Sequence, residues 1–232
     1  VRNALALFLG QRLRPGDTAH LLIYADDGLI PTQHCGLLGQ FALTWEVWGT
    51  ADWVPLTEKY APMMLRAGHA GPVDAWVVWD DDDVYLPWHL ANNSAALKHW
   101  PWAHPSAAWS TYQTDPLTEA PQPRQLGGRH YHGALAVRAD LMRTLGGWPK
   151  TDRSDYDKQM LAACRNAAGP PGDPCEHGPA SYVYRWLDTN RDHCSARIVD
   201  HHYRPPRIQE PPIRELTPQL DDPTAALLAR LT

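Results

Sequence analysis

The sequence predicts an α/β domain built on a mainly parallel central sheet flanked by helices. Helix-like and strand-like segments alternate along the chain, the pattern of layered α/β architecture. The run Ala75 to Trp79 (AWVVW) is apolar throughout, as a strand buried on both faces would be. Two acidic turns, Asp26-Asp27 and Asp80 to Asp83, follow strand-like runs. They stand at carboxyl ends of strands, where open α/β sheets bind ligands.

Taken in order, Asn3 to Gln11 reads as a helix, broken by Pro15-Gly16. His20 to Ala25 (HLLIYA) is a strand stopped by Asp26-Asp27-Gly28, and Phe41 to Trp48 holds another. Thr57 to Ala67 is helical, with Pro62 inside it as an alternative start. The Ala75 to Trp79 strand ends in the four aspartates and is followed by Val84-Tyr85-Leu86-Pro87. Trp100 to Gly128 has weak periodicity and is read as irregular, with an edge strand at Ala107 to Tyr112. His130 to Arg138 alternates as a strand does, putting His130 and His132 on one face. Asp140 to Leu145 makes a short helix ended by Gly146-Gly147. Ser154 to Ala168 makes a longer one, capped by Ser154 or Asp155. A strand over Ala180 to Trp186 precedes a Pro-rich tail with a short helix at Pro223 to Leu231, which should wrap the domain or reach a partner.

The chain has 232 residues, enough for one or at most two domains with a real hydrophobic core. No apolar run approaches the roughly 18 residues of a membrane span. A net charge of −5 gives no footprint for non-specific nucleic-acid binding. A local basic groove of Arg124, Arg129, Arg138, Arg143 and Lys150 would be needed to overrule it. Eleven Trp and nine Tyr against two Phe favour rings with a polar tip, which suit ligand walls as well as cores. Cys35, Cys164, Cys175 and Cys194 form no CxxC pair. They are read as mostly free thiols in a reducing, cytoplasmic setting, with a Cys164–Cys175 disulfide as the alternative. No signal peptide is visible.

The chemistry centres on Asp80 to Asp83. Adjacent carboxylates repel, and a fold that presents four of them neutralises them with a hard divalent cation, Mg²⁺ or Mn²⁺, which commonly also holds phosphates. In an extended chain Asp80 and Asp82 point one way and Asp81 and Asp83 the other. The plain alternative is a solvated acidic turn.

At this point the chain resembles the family-two glycosyltransferases of the GT-A fold, whose central sheet is Rossmann-like. WVVWDDDDVYLP is similar to the family's strand-plus-DxD element, and LLIYADDG to the strand ending at the nucleotide base. LTEKYAPMMLRA resembles the helix before the DxD strand, ALAVRADLMRTLGGWP the acceptor-side segment, and SDYDKQMLAACRNAAG the helix opening with the catalytic acid. The resemblance covers about residues 1 to 204, leaving 205 to 232 as the Pro-rich tail. The family's opening strand, with its Pro-x-Tyr-Asn-like turn, has no counterpart ahead of Val1.

The resemblance implies a metal-dependent transferase that moves a sugar from a nucleotide-sugar, a UDP-sugar first, to an acceptor hydroxyl. Asp26, Asp27, Lys59, Asp80 and Asp81 would contact the donor, and Asp80 and Asp82 the metal. Asp155 would be the general base of an inverting reaction; because Ser154 stands where the family commonly has Glu, Asp157 competes with it. CSARIVDHHYR is similar to a segment of related GalNAc-transferring enzymes that supplies a third ligand, making His201 the first candidate before His202 and His193. His130, His132 and Trp148 would line the donor or acceptor pocket. The acceptor class stays open among glycan, protein, lipid and modified nucleobase. Two other functions fit the carboxylates: a metal-dependent phosphohydrolase or nuclease, and a non-catalytic carbohydrate- or metal-binding module.

Overall fold

The computed structural model describes residues 2–25, 34–37, 43–49, 56–70, 72–80, 83–110, 122–125, 132–149 and 156–184. These residues form a mixed α/β structure of three small sheets with helices packed on them. The expected single, mainly parallel sheet is not what they form. In the first sheet, β1 (Ala19–Ala25) runs parallel to β3 (Leu43–Gly49), which is antiparallel to β2 (His34–Leu37). The second has the order β4 (Ala75–Val77), β9 (Ala136–Arg138), β6 (Trp102–Ala103), and both its pairs are antiparallel. The third has the order β5 (Val84–Tyr85), β10 (Tyr182–Tyr184), β7 (Ala107–Ser110), β8 (Gln122–Gln125), with only β7 and β10 parallel.

Four α-helices among the described residues lie on runs read as helical, and a further one, His89–Leu97, does not. α1 (Arg2–Leu9) buries Leu5 and Phe8 against Leu21 of β1, Trp45 of β3 and Leu90 of α3 (His89–Leu97). Beyond its end the buried Gln11 side chain donates to the carbonyls of Leu7, Tyr85 and Leu86 and accepts from the Leu90 amide. One amide thus ties α1, β5 and α3 together. α4 (Ala139–Thr144) and α5 (Tyr156–Ala168) enclose the largest core, with Val137, Leu141, Met142, Trp148, Met160 and Leu161 all buried. α4 stops at Gly146 and Gly147, whose φ angles of 74° and 97° are left-handed. Their amides close on Arg143 and Met142, which is the conformation that glycine permits at a helix end.

One alternative closes and three expectations change. α2 (Leu56–Ala70) covers the helix read over Thr57 to Ala67 and runs through Pro62 instead of starting there. Its Arg66 pairs with Glu46 of β3, and tertiary anchoring of this kind offsets the lost backbone bond. The AWVVW strand is three residues long and half-buried, because β4 is an edge strand. The Ala107 strand is interior to its sheet, between β10 and β8. The run from His130 does not continue as one strand: His132–Ala134 is a 3-10 turn closed by the Leu135 amide on the His132 carbonyl, and β9 follows it. Cys164 and Cys175 are free thiols. Among the described residues no helix is long and apolar enough to cross a membrane. The Pro-rich tail lies outside the described residues.

Candidate functional site

The acidic run begins three residues after β4. Trp79 anchors the chain ahead of it: its indole N–H donates to the Ala4 carbonyl at 3.1 Å, and its ring stacks on Tyr85 at 4.0 Å. Asp80 follows, half-buried, and its backbone amide donates to the Tyr85 hydroxyl at 2.7 Å. Asp83, at the other end of the run, is only 3% exposed and accepts a hydrogen bond from the Tyr182 hydroxyl of β10. Burial, then the neighbouring Asp83, Tyr85 and Asp80, pushes the Tyr182 phenol well above its ordinary range. It therefore keeps its proton and donates.

The two carboxylates meet above the 3-10 turn. A Cβ on Gly133 would lie 2.6 Å from Asp80 Oδ2, 2.9 Å from the Tyr182 hydroxyl and 3.0 Å from Asp83 Oδ2. No side chain fits there, so only glycine lets the turn approach the acids so closely. Extended-chain parity pairs Asp80 with Asp82. Asp80 and Asp83 also converge, the backbone having left the strand conformation after Val77. Two oxygen-donor side chains at one point are the donor type a hard cation takes. Among the described residues no group of three His, Cys, Asp or Glu stands together. Asp81 and Asp82 lie outside the described residues.

His132 and Trp148 belong to an adjoining aromatic cluster. Trp148 stacks on Tyr60 of α2 at 4.2 Å, and the His132 ring stands edge-on to Trp148 at 5.3 Å and to Tyr60 at 5.9 Å. Burial lowers the His132 pKa to about 4, so the imidazole is neutral at pH 7. Trp148 is 9% exposed, and its buried Nε1 has no hydrogen-bond partner among the described residues.

Lys59 of α2 sits with its ammonium 5.7 Å from the centre of the Tyr24 ring, near the carboxyl end of β1. Asp26 and Asp27, the next two residues after β1, lie outside the described residues. Asp157 lies in the first turn of α5, half-buried, and accepts from the Lys158 amide at 2.7 Å. That helix packs on the 3-10 turn bearing Gly133. Asp155, His130 and His201 lie outside the described residues. An apolar hollow of about 380 Å³ opens between α2 and α4, lined by Met64, Trp76, Met142 and Arg143. It contains none of the anticipated site residues.

Sequence reasoning missed Asp83 as a partner of Asp80, and with it Tyr85, Tyr182 and Gly133. Only Tyr85, two residues past the acidic run, carried a local signal; Tyr182 lies 99 residues from Asp83 in the chain. Comparison with protein-family models, with curated proteins and with solved structures finds no match to this chain.

Proposed function

We propose that this chain is a metal-dependent transferase acting on a phosphate-bearing donor. More particularly, we read it as a glycosyltransferase of the GT-A kind, moving a sugar from a UDP-sugar to an acceptor hydroxyl. The convergence of Asp80 and Asp83 over Gly133 carries the proposal. Carboxylates drawn together and partly withdrawn from water are costly unless something offsets their charge. The residues suit a hard cation in donor type: Asp80, beside the enclosed Asp83, would hold Mn²⁺ or Mg²⁺ together with Asp82 and His201, both outside the described residues. Such an ion, when bound, supplies charge neutralisation to a departing diphosphate.

The chain's own residues supply the rest. Lys59, beside Tyr24, would offer a positive charge to the donor with Asp26, Asp27 and Asp81. Asp155 would take the proton of the acceptor hydroxyl, with Asp157 as the competing base. A base of this kind has to lie within hydrogen-bond reach of the acceptor hydroxyl.

The test is thermal unfolding with UDP and Mn²⁺, joined to a mass-spectrometric screen for nucleotide-sugar hydrolysis. A ligand at a hundredfold excess over its Kd stabilises by about 2.7 kcal/mol. Asp80→Asn should abolish both the shift and turnover, whereas Asp155→Asn should abolish turnover and keep the shift. No shift with any nucleotide plus metal sinks the reading. Phosphate release from simple esters without an acceptor would favour the phosphohydrolase. Glycan binding indifferent to nucleotide would favour the binding module.

A further inference from the structure

The hollow between α2 and α4 shares no residue with the acidic site, and its walls are chemically one-sided. Met64, Val73, Trp76 and Met142 make them apolar, and Arg143 is the one charged side chain lining them among the described residues. Its volume of about 380 Å³ lies at the small end of the range for ligand pockets, roughly 300–1,000 Å³. Met64 and Trp76 pack against the largest core yet stay half-buried, so both leave apolar surface toward water. Gly147 keeps one side of the hollow open. A Cβ there would stand 3.9 Å from the Met64 sulfur, in ordinary contact, and would take up that space.

The cation is uncommitted. Asp140 stands three residues before Arg143 in α4, a spacing at which a helix pairs opposite charges. That carboxylate is taken instead by Arg138 and by the Leu141 amide. Arg66 of α2 is likewise bound, to Glu46. The exposed Arg143 guanidinium has no hydrogen-bond or ion-pair partner among the described residues. A flat indole, two methionine thioethers and one guanidinium select a ligand with an aromatic body and a single acid. Its ring would lie on the indole, and its carboxylate would accept the guanidinium's two parallel N–H bonds. We infer that this hollow binds a small aromatic carboxylate, with Arg143 holding the acid and Trp76 the ring. The inference stands apart from the metal-dependent reading above.

The experiment titrates the full chain with naphthoate and follows its four methionines, isotopically labelled at their methyl groups, by NMR. Met64 and Met142 should shift along one binding curve, while Met160, buried outside the lining, should move far less. Arg143→Gln changes an exposed side chain and leaves the core intact. It should weaken naphthoate roughly 5- to 10-fold, the worth of a partly exposed charge-assisted pair. Binding of the neutral naphthylmethanol should stay as it was. Trp76→Leu should weaken both compounds, and Arg143→Gln decides the matter if that variant fails to fold. Cyclohexanecarboxylate, an acid without the ring, should bind the unaltered chain more weakly than naphthoate by roughly threefold or more. No shift of Met64 and Met142 at millimolar naphthoate overturns the inference. So does an equal loss of acid and alcohol in Arg143→Gln. A lower melting temperature with unchanged naphthoate affinity overturns it too, leaving Arg143 a helix-end charge. Cyclohexanecarboxylate binding as tightly as naphthoate overturns the ligand class. The titration contains neither metal nor nucleotide, so its failure leaves the metal-dependent reading untouched.

Discussion

Adjacent residues of one 3-10 turn face unlike surroundings. Gly133 meets the carboxylates of Asp80 and Asp83 and the hydroxyl of Tyr182, whereas His132 meets the rings of Tyr60 and Trp148. Both neighbourhoods are aromatic, but the rings serve differently. Tyr85 and Tyr182 turn their hydroxyls onto the acidic run. Tyr60 and Trp148 lay their faces on each other, and the indole N–H is buried without a hydrogen-bond partner among the described residues. One cluster orders charge and the other fills volume. The turn between them joins the core to the acids.

The largest expected effect separates the two by volume. Trp148→Ala should cost about 3–5 kcal/mol in urea unfolding, as deletion of a large buried ring does. Its effect on nucleotide-and-metal stabilisation, measured where the variant is still folded, should be small by comparison. A cost below roughly 1 kcal/mol would mean that the Tyr60–Trp148 stack is not the packing element proposed, since a surface ring behaves that way.

Acid should act next. The His132 pKa is about 4 in the fold against the ordinary 6.5, so the unfolded chain binds the proton first as pH falls. The contribution is therefore whole above pH 6.5 and is lost as pH drops toward 4, by up to roughly 3 kcal/mol. His89, lowered to about 3 by its burial, acts in the same direction and further into acid. Melting curves between pH 7 and pH 4 should steepen this way, and His132→Gln should flatten part of the slope. An unaltered slope in that variant would show that His132 is not buried neutral.

The smallest expected loss of stability is at Gly133, and it is the most selective. Gly133→Ala should cost about 1–3 kcal/mol, the usual range for overpacking. Its Cβ would press on Asp80 Oδ2, so stabilisation by Mn²⁺ and nucleotide should fall far more than global stability does. Equal losses in both would erase the distinction between the two sides of the turn.

How much was legible in the sequence depends on how local each signal is. The β1 strand, α1, and the α4 helix with its Gly146-Gly147 stop were readable because hydrophobic spacing and glycine chemistry act within a few residues. The acidic run was equally plain as a concentration of charge. That Asp83 stands near Asp80 was not plain: parity along an extended chain pairs Asp80 with Asp82, which lies outside the described residues, and gives no sign of Asp83 beside Asp80 at Gly133. The strand anticipated from His130 failed for a related reason. Alternation from His132 to Val137 mimics a strand, yet Gly133 is needed for a close approach and the chain makes a 3-10 turn there.

The sequence by itself therefore determined a mixed α/β chain, most of its helices, and a carboxylate-rich segment following a β-prone run. Those features follow from side-chain volume, backbone preference and charge within short windows. Tertiary structure alone decided that the described residues form three small sheets, that β5 and β10 pair so that Tyr85 stands opposite Tyr182, and that those two hydroxyls reach the ends of the acidic run. Strand partners are chosen by burial and hydrogen bonding between segments about a hundred residues apart, which no local window contains. The Trp and Tyr surplus divides along the same line. Composition supplies rings with polar tips, and the fold turns some of those tips toward charge and packs others face to face.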